Sequence, residues 1–185
     1  MSRTVNIFDL RLSGGARVYE TSSSYRTGEN QARRGTHSGV TRVVLADDHP
    51  SVRTGIRILL ERTPDIQVVG EASDGREALT LAQTLLPDVL VLDLEMPVLN
   101  GKQVVERIRE MNLPVRVLVL SAHDDRQYIL GMFESGASGY LVKDEAPRSL
   151  ARAIRKVATG QHKWLSRRTA ERVGFSLPAD RNIPH

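Results

Sequence analysis

Val89-Leu90-Val91-Leu92-Asp93-Leu94-Glu95-Met96-Pro97 is the stretch that decides the fold. Four apolar residues run without a break into one carboxylate. A short apolar run of this kind suits a strand buried on both faces of a parallel sheet. Pro97 has no backbone N–H to give the ladder, so the strand must stop near Asp93. Asp93 is thereby placed at the carboxyl end of a buried strand, the edge where open α/β sheets bind their ligands.

The segments on either side repeat the pattern. Before it, Val43-Val44-Leu45-Ala46 reads as a buried strand ending in Asp47-Asp48. His49-Pro50 break that strand, and a helix follows with Val52, Ile56, Leu59 and Leu60 on one face. Ile66 to Val69 forms a second strand. Ser73-Asp74-Gly75 turns into a helix whose inner face is Ala78, Leu81, Ala82 and Leu85. After Asn100-Gly101 a third helix buries Val104, Val105, Ile108 and Met111, and Pro114 ends it. Val115 to Leu120 is a fourth strand, ending at Ser121. A short helix with Ile129, Leu130 and Phe133 leads to a fifth strand, Tyr140-Leu141-Val142, which ends at Lys143. Pro147 opens the last helix, with Leu150, Ala153, Ile154, Val157 and Ala158 inward, and Gly160 stops it.

Five strands alternating with five helices predict a doubly wound α/β fold with a parallel sheet. The flavodoxin-like (βα)5 topology, strand order 2-1-3-4-5, is the leading arrangement. In that order strands one, three, four and five are neighbours. The ends bearing Asp47 and Asp48, Asp93, Ser121 and Lys143 therefore meet at one place. Three crowded carboxylates call for a cation, or one of them must hold a proton. Oxygen-only ligands suit Mg²⁺, which keeps several waters and readily shares a phosphate. Lys143 and the Ser121 hydroxyl can bind an anion arriving beside the metal. A carboxylate can itself be the nucleophile, forming an aspartyl phosphate whose charge the metal and Lys143 offset.

With these residues in place, the stretch from about 41 to 160 resembles the receiver domain of bacterial two-component response regulators. Leu45-Ala46-Asp47-Asp48-His49-Pro50, Asp93-Leu94-Glu95-Met96-Pro97 and Gly139-Tyr140-Leu141-Val142-Lys143-Asp144 are especially similar to the NarL/FixJ-type subfamily. The resemblance implies that Asp93 accepts a phosphoryl group from a histidine kinase. It implies that Asp48, Asp93 and the backbone carbonyl of Glu95 ligate Mg²⁺, with Asp47 acting through water. It also implies that Ser121 and Tyr140 form a switch pair: the hydroxyl moves to the phosphate and the aromatic ring follows inward. The altered surface would be that of the fourth helix, fifth strand and fifth helix, and phosphorylation would allow a homodimer. On this reading the chain is no enzyme beyond its own phosphoryl transfer and dephosphorylation.

Composition bounds the alternatives. The 185 residues include no Cys, which excludes disulfides and thiolate metal sites and fits a reducing, cytoplasmic setting. No apolar run approaches a membrane span, and no signal peptide is expected. The formal charge of +4 is unevenly spread. Residues 1–40 hold six Arg against three acids, 41–160 fifteen Lys/Arg against seventeen acids, and 161–185 five against two. The basic character belongs to the ends, where solvated polar tails are the ordinary reading. Residues 1–40, rich in Ser, Arg and Gly, are expected to be a disordered extension, although their composition has some transit-peptide character.

Residues 161–185 are expected to be a linker with one short helix, Ser166 to Val173, capped by Ser166. Here the chain departs from the NarL type, which carries a C-terminal LuxR-type helix-turn-helix. Twenty residues follow Leu165 and two of them are Pro, so no three-helix DNA-binding unit fits. DNA would be reached only through an output domain absent from this chain. The alternative to a self-contained signalling switch is therefore the regulatory half of a DNA-binding transcription regulator. A haloacid-dehalogenase-type hydrolase is disfavoured, because Glu95 and Pro97 stand where that motif has Asp and Thr/Val. A flavodoxin is disfavoured because Asp47-Asp48 would repel a flavin phosphate.

Overall fold

The alternation of Val89 to Asp93 resolves into two cores. The structure is a computed structural model that describes residues 7–11, 15–21 and 39–175. In it β5 (Val89–Asp93) is buried along its whole length. Leu90 and Leu92 face one apolar cluster, and Val89 and Val91 face the other. The strands β3 (Thr41–Ala46), β6 (Arg116–Ser121) and β7 (Gly139–Val142) divide in the same way. One cluster is closed by α2 (Gly75–Leu85), α3 (Gly101–Glu110) and α4 (Arg126–Ser135). The other is closed by α1 (Pro50–Glu61) and α5 (Ala146–Ala158). Strands alternate between two buried faces because helices cover both, which is why their sequences read as unbroken apolar runs.

With β4 (Ile66–Ala72), the parallel strands run in the order β4-β3-β5-β6-β7. This is the 2-1-3-4-5 order expected. Register sets their carboxyl ends level. Ala46 lies opposite Leu92, Asp93 opposite Leu120, and Ser121 opposite Val142. The next residues along the chain after Ala46 and Val142 are Asp47 and Lys143.

Helix starts follow local chemistry. The Asp74 side chain accepts from Glu77 N, Asp125 from Tyr128 N, and Asn100 forms a reciprocal capping box with Gln103. Gly101 is required at the head of α3, since a Cβ there would lie 2.5 Å from the Asp93 carbonyl oxygen. Val98, in the same loop, holds φ +70°, a costly conformation for a β-branched residue. Met111, expected inward, is instead the exposed C-cap of α3, because the helix ends at Glu110.

The sheet extends beyond residues 41–160 at both edges. The expected disorder of residues 1–40 does not hold for β1 (Ile7–Arg11) and β2 (Arg17–Thr21), which form an antiparallel pair. β2 continues the sheet along β4, with Arg17 opposite Glu71 and Val18 opposite Gly70. Averaged composition hid two short strand-length runs, and the free edge of β4 supplied a ladder for them. Residues 1–6, 12–14 and 22–38, on which the expected disorder and transit character also fall, lie outside the described residues. At the opposite edge β8 (Trp164–Leu165) pairs in parallel with β7. The short helix α6 (Arg167–Arg172) follows, with Ser166 accepting from Thr169 N at 3.0 Å. No helix among the described residues is long and apolar enough to cross a membrane.

Candidate functional site

Asp47 and Asp93, at the ends of adjacent strands, are 2% and 4% exposed. Two carboxylates so placed need a compensating charge, and Lys143 supplies it from the end of β7. Its Nζ lies 2.9 Å from Asp47 Oδ2 and 3.0 Å from Asp93 Oδ2. The remaining oxygens are held by backbone. Asp93 Oδ1 accepts from Leu94 N and Asp47 Oδ1 from His49 N, each at 2.8 Å.

The electrostatic balance is uneven. Burial raises the Asp93 carboxyl above its ordinary range, the Lys143 hydrogen bond lowers it, and the charge on Asp47 raises it again, with a net upward shift. For Lys143, burial alone favours the neutral amine. The hydrogen bonds and charges of Asp47 and Asp93 outweigh that effect and hold the group above its ordinary value as an ammonium. One lysine thus spans two carboxylates, with a third beside them.

That third carboxylate is Asp48, half-buried at the mouth of the site. Its Oδ1 is buried and has no hydrogen-bond partner. The His49 Nδ1 stands 2.6 Å away, outside hydrogen-bond geometry. Ligand atoms of Asp47, Asp48, His49 and Asp93 all lie within 4.8 Å of one another. An orphaned carboxylate oxygen among hard oxygen donors fits a divalent cation, and Mg²⁺ is the hard ion this donor set suits. Glu95 is exposed and its carboxylate pairs with His123 Nε2 at 2.9 Å.

Ser121 and Tyr140 are fully buried. Both are tied to the backbone of His123. The Ser121 hydroxyl oxygen accepts from His123 N at 3.1 Å, and the Tyr140 hydroxyl donates to His123 O at 2.8 Å. Burial pushes the Tyr140 phenol up to about 12. The ring therefore already stands inside, and an inward swing of the kind the resemblance implies has no outward starting point in this structure. Lys143 is followed by Asp144 through a trans peptide and by a turn of 3-10 helix, η1 (Lys143–Glu145).

The structure thus gathers Asp47, Asp48, Asp93 and Lys143 tightly, with Ser121 on the next strand. Sequence reasoning missed three participants. His49 was read only as a strand breaker, although its place after two aspartates was the available signal. His123 was passed over because its ties run to residues distant in the chain. Arg53, whose guanidinium donates to Asp47 O at 2.5 Å, sits on α1 one turn past Pro50 and carries no sequence signal.

Comparison with known proteins agrees with this geometry. NarL of Escherichia coli strain K12, a nitrate/nitrite response regulator, is 41% identical over 119 residues, 64% of this chain and 55% of that protein. A Mycobacterium tuberculosis regulator, also termed NarL, is 42% identical over 120 residues, 65% and 56% of the two chains. The chain thus spans little more than half the length of these relatives. The solved receiver domain of Mycobacterium tuberculosis NarL superposes with a TM-score of 0.64 at 41% identity, covering 66% of this chain and 98% of that one. A LuxR-family two-component response regulator from Aurantimonas sp. SI85-9A1 reaches 0.69 at 37% identity, covering 74% and 96%. The response regulator receiver domain matches residues 43–155, from the first residue of the Val43–Ala46 run into α5. With that match running over more than half of its length, the chain belongs to the response regulator receiver family.

Proposed function

We propose that Asp93 is the phosphoacceptor of a two-component switch, charged by a histidine kinase with Mg²⁺ present. The observation that carries this is the Lys143 ammonium shared between Asp47 and Asp93, beside the unpartnered oxygen of Asp48. A carboxylate oxygen of Asp93 attacks phosphorus of a phosphohistidine. A new P–O bond forms and the P–N bond breaks. Its electron pair returns to the imidazole nitrogen, which takes up a proton. Lys143, kept charged by its two carboxylates, turns from Asp93 to the incoming phosphoryl oxygens. The Ser121 hydroxyl, whose oxygen accepts from His123 N, would turn its proton to the same group. Asp48, Asp93 and the Glu95 carbonyl would hold the metal directly, and Asp47 through water. The metal's contribution is to offset the charge of the transferred group. Asp47, bound by Lys143 and His49 N, keeps the ammonium centred over the site.

The signal would leave by the surface of α4, β7 and α5, with phosphorylation-dependent homodimerisation as one readout. The NarL relatives, one a response regulator and one a transcriptional regulatory protein, favour a second reading of the output: this receiver as the regulatory part of a DNA-binding regulator. Incubation with a small acyl phosphate, with and without Mg²⁺, followed by intact mass, tests the chemistry. One phosphoryl group should be gained with Mg²⁺ by the wild type and none by Asp93→Asn. Equal uptake by both proteins would refute the assignment.

A further inference from the structure

The segment after α5 does not trail away from the site. It is clasped from two of the loops that leave it. From the β6–α4 side, Asp124 pairs with Arg172, and Arg126 donates to Val173 O at 3.0 Å. From the β7–α5 side, Glu145 in η1 accepts from the Thr169 hydroxyl at 2.7 Å, with both residues buried. Between these clasps, Ala170 and Val173 are buried in the cluster under α4, and the Phe175 ring packs on Phe133 at 6.3 Å between centroids. A six-residue helix cannot persist alone. The order of α6 is borrowed from this docking.

Each clasp leads back to a group that would bind the phosphoryl. His123, next to Asp124, is held at its N–H by Ser121 and at its carbonyl by Tyr140. Glu145 is two residues beyond Lys143, within the same 3-10 turn. A rigid helix pinned to two loops at once fits only one spacing between them. Drawing Ser121 and Lys143 onto a phosphoryl group would disturb the two loops that carry them, and with them that spacing.

We propose that residues 166–175 are an intramolecular plug on the α4–η1 surface, seated in the unphosphorylated protein and released when Asp93 is phosphorylated. This rests on the phosphoacceptor reading above. Release would uncover Phe133 and the α4 face for a partner, so the plug sets when that face is available. Linkage makes the coupling reciprocal: if the phosphoryl group loosens the plug, loosening the plug must tighten binding of a phosphoryl mimic by the same factor.

The test uses the full chain, with hydrogen exchange of the 166–175 amides and intact mass read on the same sample. Phosphoryl uptake with about tenfold faster exchange in this segment is the expected result. Uptake with unchanged exchange overturns the plug and leaves the phosphoacceptor reading standing. No uptake overturns both. Arg172→Ala, at an exposed ion pair, and Phe175→Ala supply the reciprocal arm. Both should bind beryllofluoride with Mg²⁺ more tightly than wild type, by about tenfold where the substitution frees the segment fully and by less where it frees it in part. Unchanged or weaker binding would mean that the contacts are merely structural.

Discussion

The two edges of the sheet are both closed by added segments, yet they are attached to different things. At one edge, β2 pairs with β4 and Tyr19 donates to Glu71 at 2.7 Å, a buried carboxylate also faced by Arg57 at 3.3 Å and Arg53 at 3.6 Å. These partners sit on β4 and α1, regular elements fixed by the core. Among the described residues the contact that leads onward is Arg53 to the carbonyl of Asp47, at the end of a fixed strand. At the other edge, β8 pairs with β7, and α6 is held by the β6–α4 loop and by η1. These are the segments carrying or flanking Ser121 and Lys143. The same solution to an open edge is therefore inert on one side and coupled to the site on the other. What differs is that one edge is anchored on regular elements alone and the other also on the loops beside the site.

The largest effect should come from the group both descriptions share. Lys143→Met leaves two buried carboxylates facing each other. It is expected to lower stability by roughly 2 kcal/mol at neutral pH, with the deficit shrinking as acid protonates Asp93. The native lysine, held above its ordinary pKa, contributes fully below that ordinary value and loses its contribution as pH rises through the raised one. Denaturant titrations of both proteins across pH would check this. A deficit that grows in acid would contradict the bridging role.

Mg²⁺ comes next. Millimolar Mg²⁺ should stabilise the wild type by about 1–3 kcal/mol through mass action, and Asp48→Ala should abolish the gain. Thermal melts with and without the ion report it. A wild-type melting temperature indifferent to Mg²⁺ would remove Asp48 from the ligand set.

The comparison of edges is sharpened by a pair of variants. Tyr19→Phe is expected to cost about 1 kcal/mol by leaving Glu71 without a neutral donor, with no change in beryllofluoride affinity. Arg172→Ala should cost less than about 1 kcal/mol, as exposed ion pairs do, yet alter that affinity. The opposite pattern would invert the assignment of inert and coupled edges.

Much of this was legible in the sequence because it is local. The Val89–Leu92 run, the caps at Asp74, Asn100 and Ser166, and the polar residue at each strand end are written in consecutive residues. Once the 2-1-3-4-5 order is granted, Asp47, Asp93, Ser121 and Lys143 converge by register alone. The edge strands were not legible. Arg17 to Thr21 alternates too briefly to stand out in a Ser- and Arg-rich segment, and pairs only because β4 offers an unfilled ladder. Nor could sequence show that Thr169 reaches Glu145, or that His123 holds both Ser121 and Tyr140. Those contacts depend on where loops come to rest. Met111 read as inward because helical spacing does not mark the residue at which a helix stops.

The smallest expected effect lies away from both edges. Arg155 grips Asp65 through two hydrogen bonds, Nε–Oδ2 at 2.6 Å and Nη2–Oδ1 at 2.9 Å, and holds that carboxyl below its ordinary value. A depressed carboxyl stabilises the fold above its unfolded pKa and loses that contribution as pH falls through the folded one. The pair is half-exposed, so Asp65→Asn should cost only ~0.3 kcal/mol at neutral pH and nothing in strong acid, as read by denaturant midpoints. An equal loss at both pH values would show that charge is not the cause.

The phosphoryl site itself can be read at single-residue resolution. After loading from an acyl phosphate with Mg²⁺, borohydride reduces an aspartyl phosphate to homoserine, and tandem mass spectrometry of the peptide covering residues 89–97 locates it. Homoserine at position 93 is the expected result. Homoserine at position 47 or 48, with Asp93 unmodified, would contradict the assignment of the nucleophile and the switch built upon it.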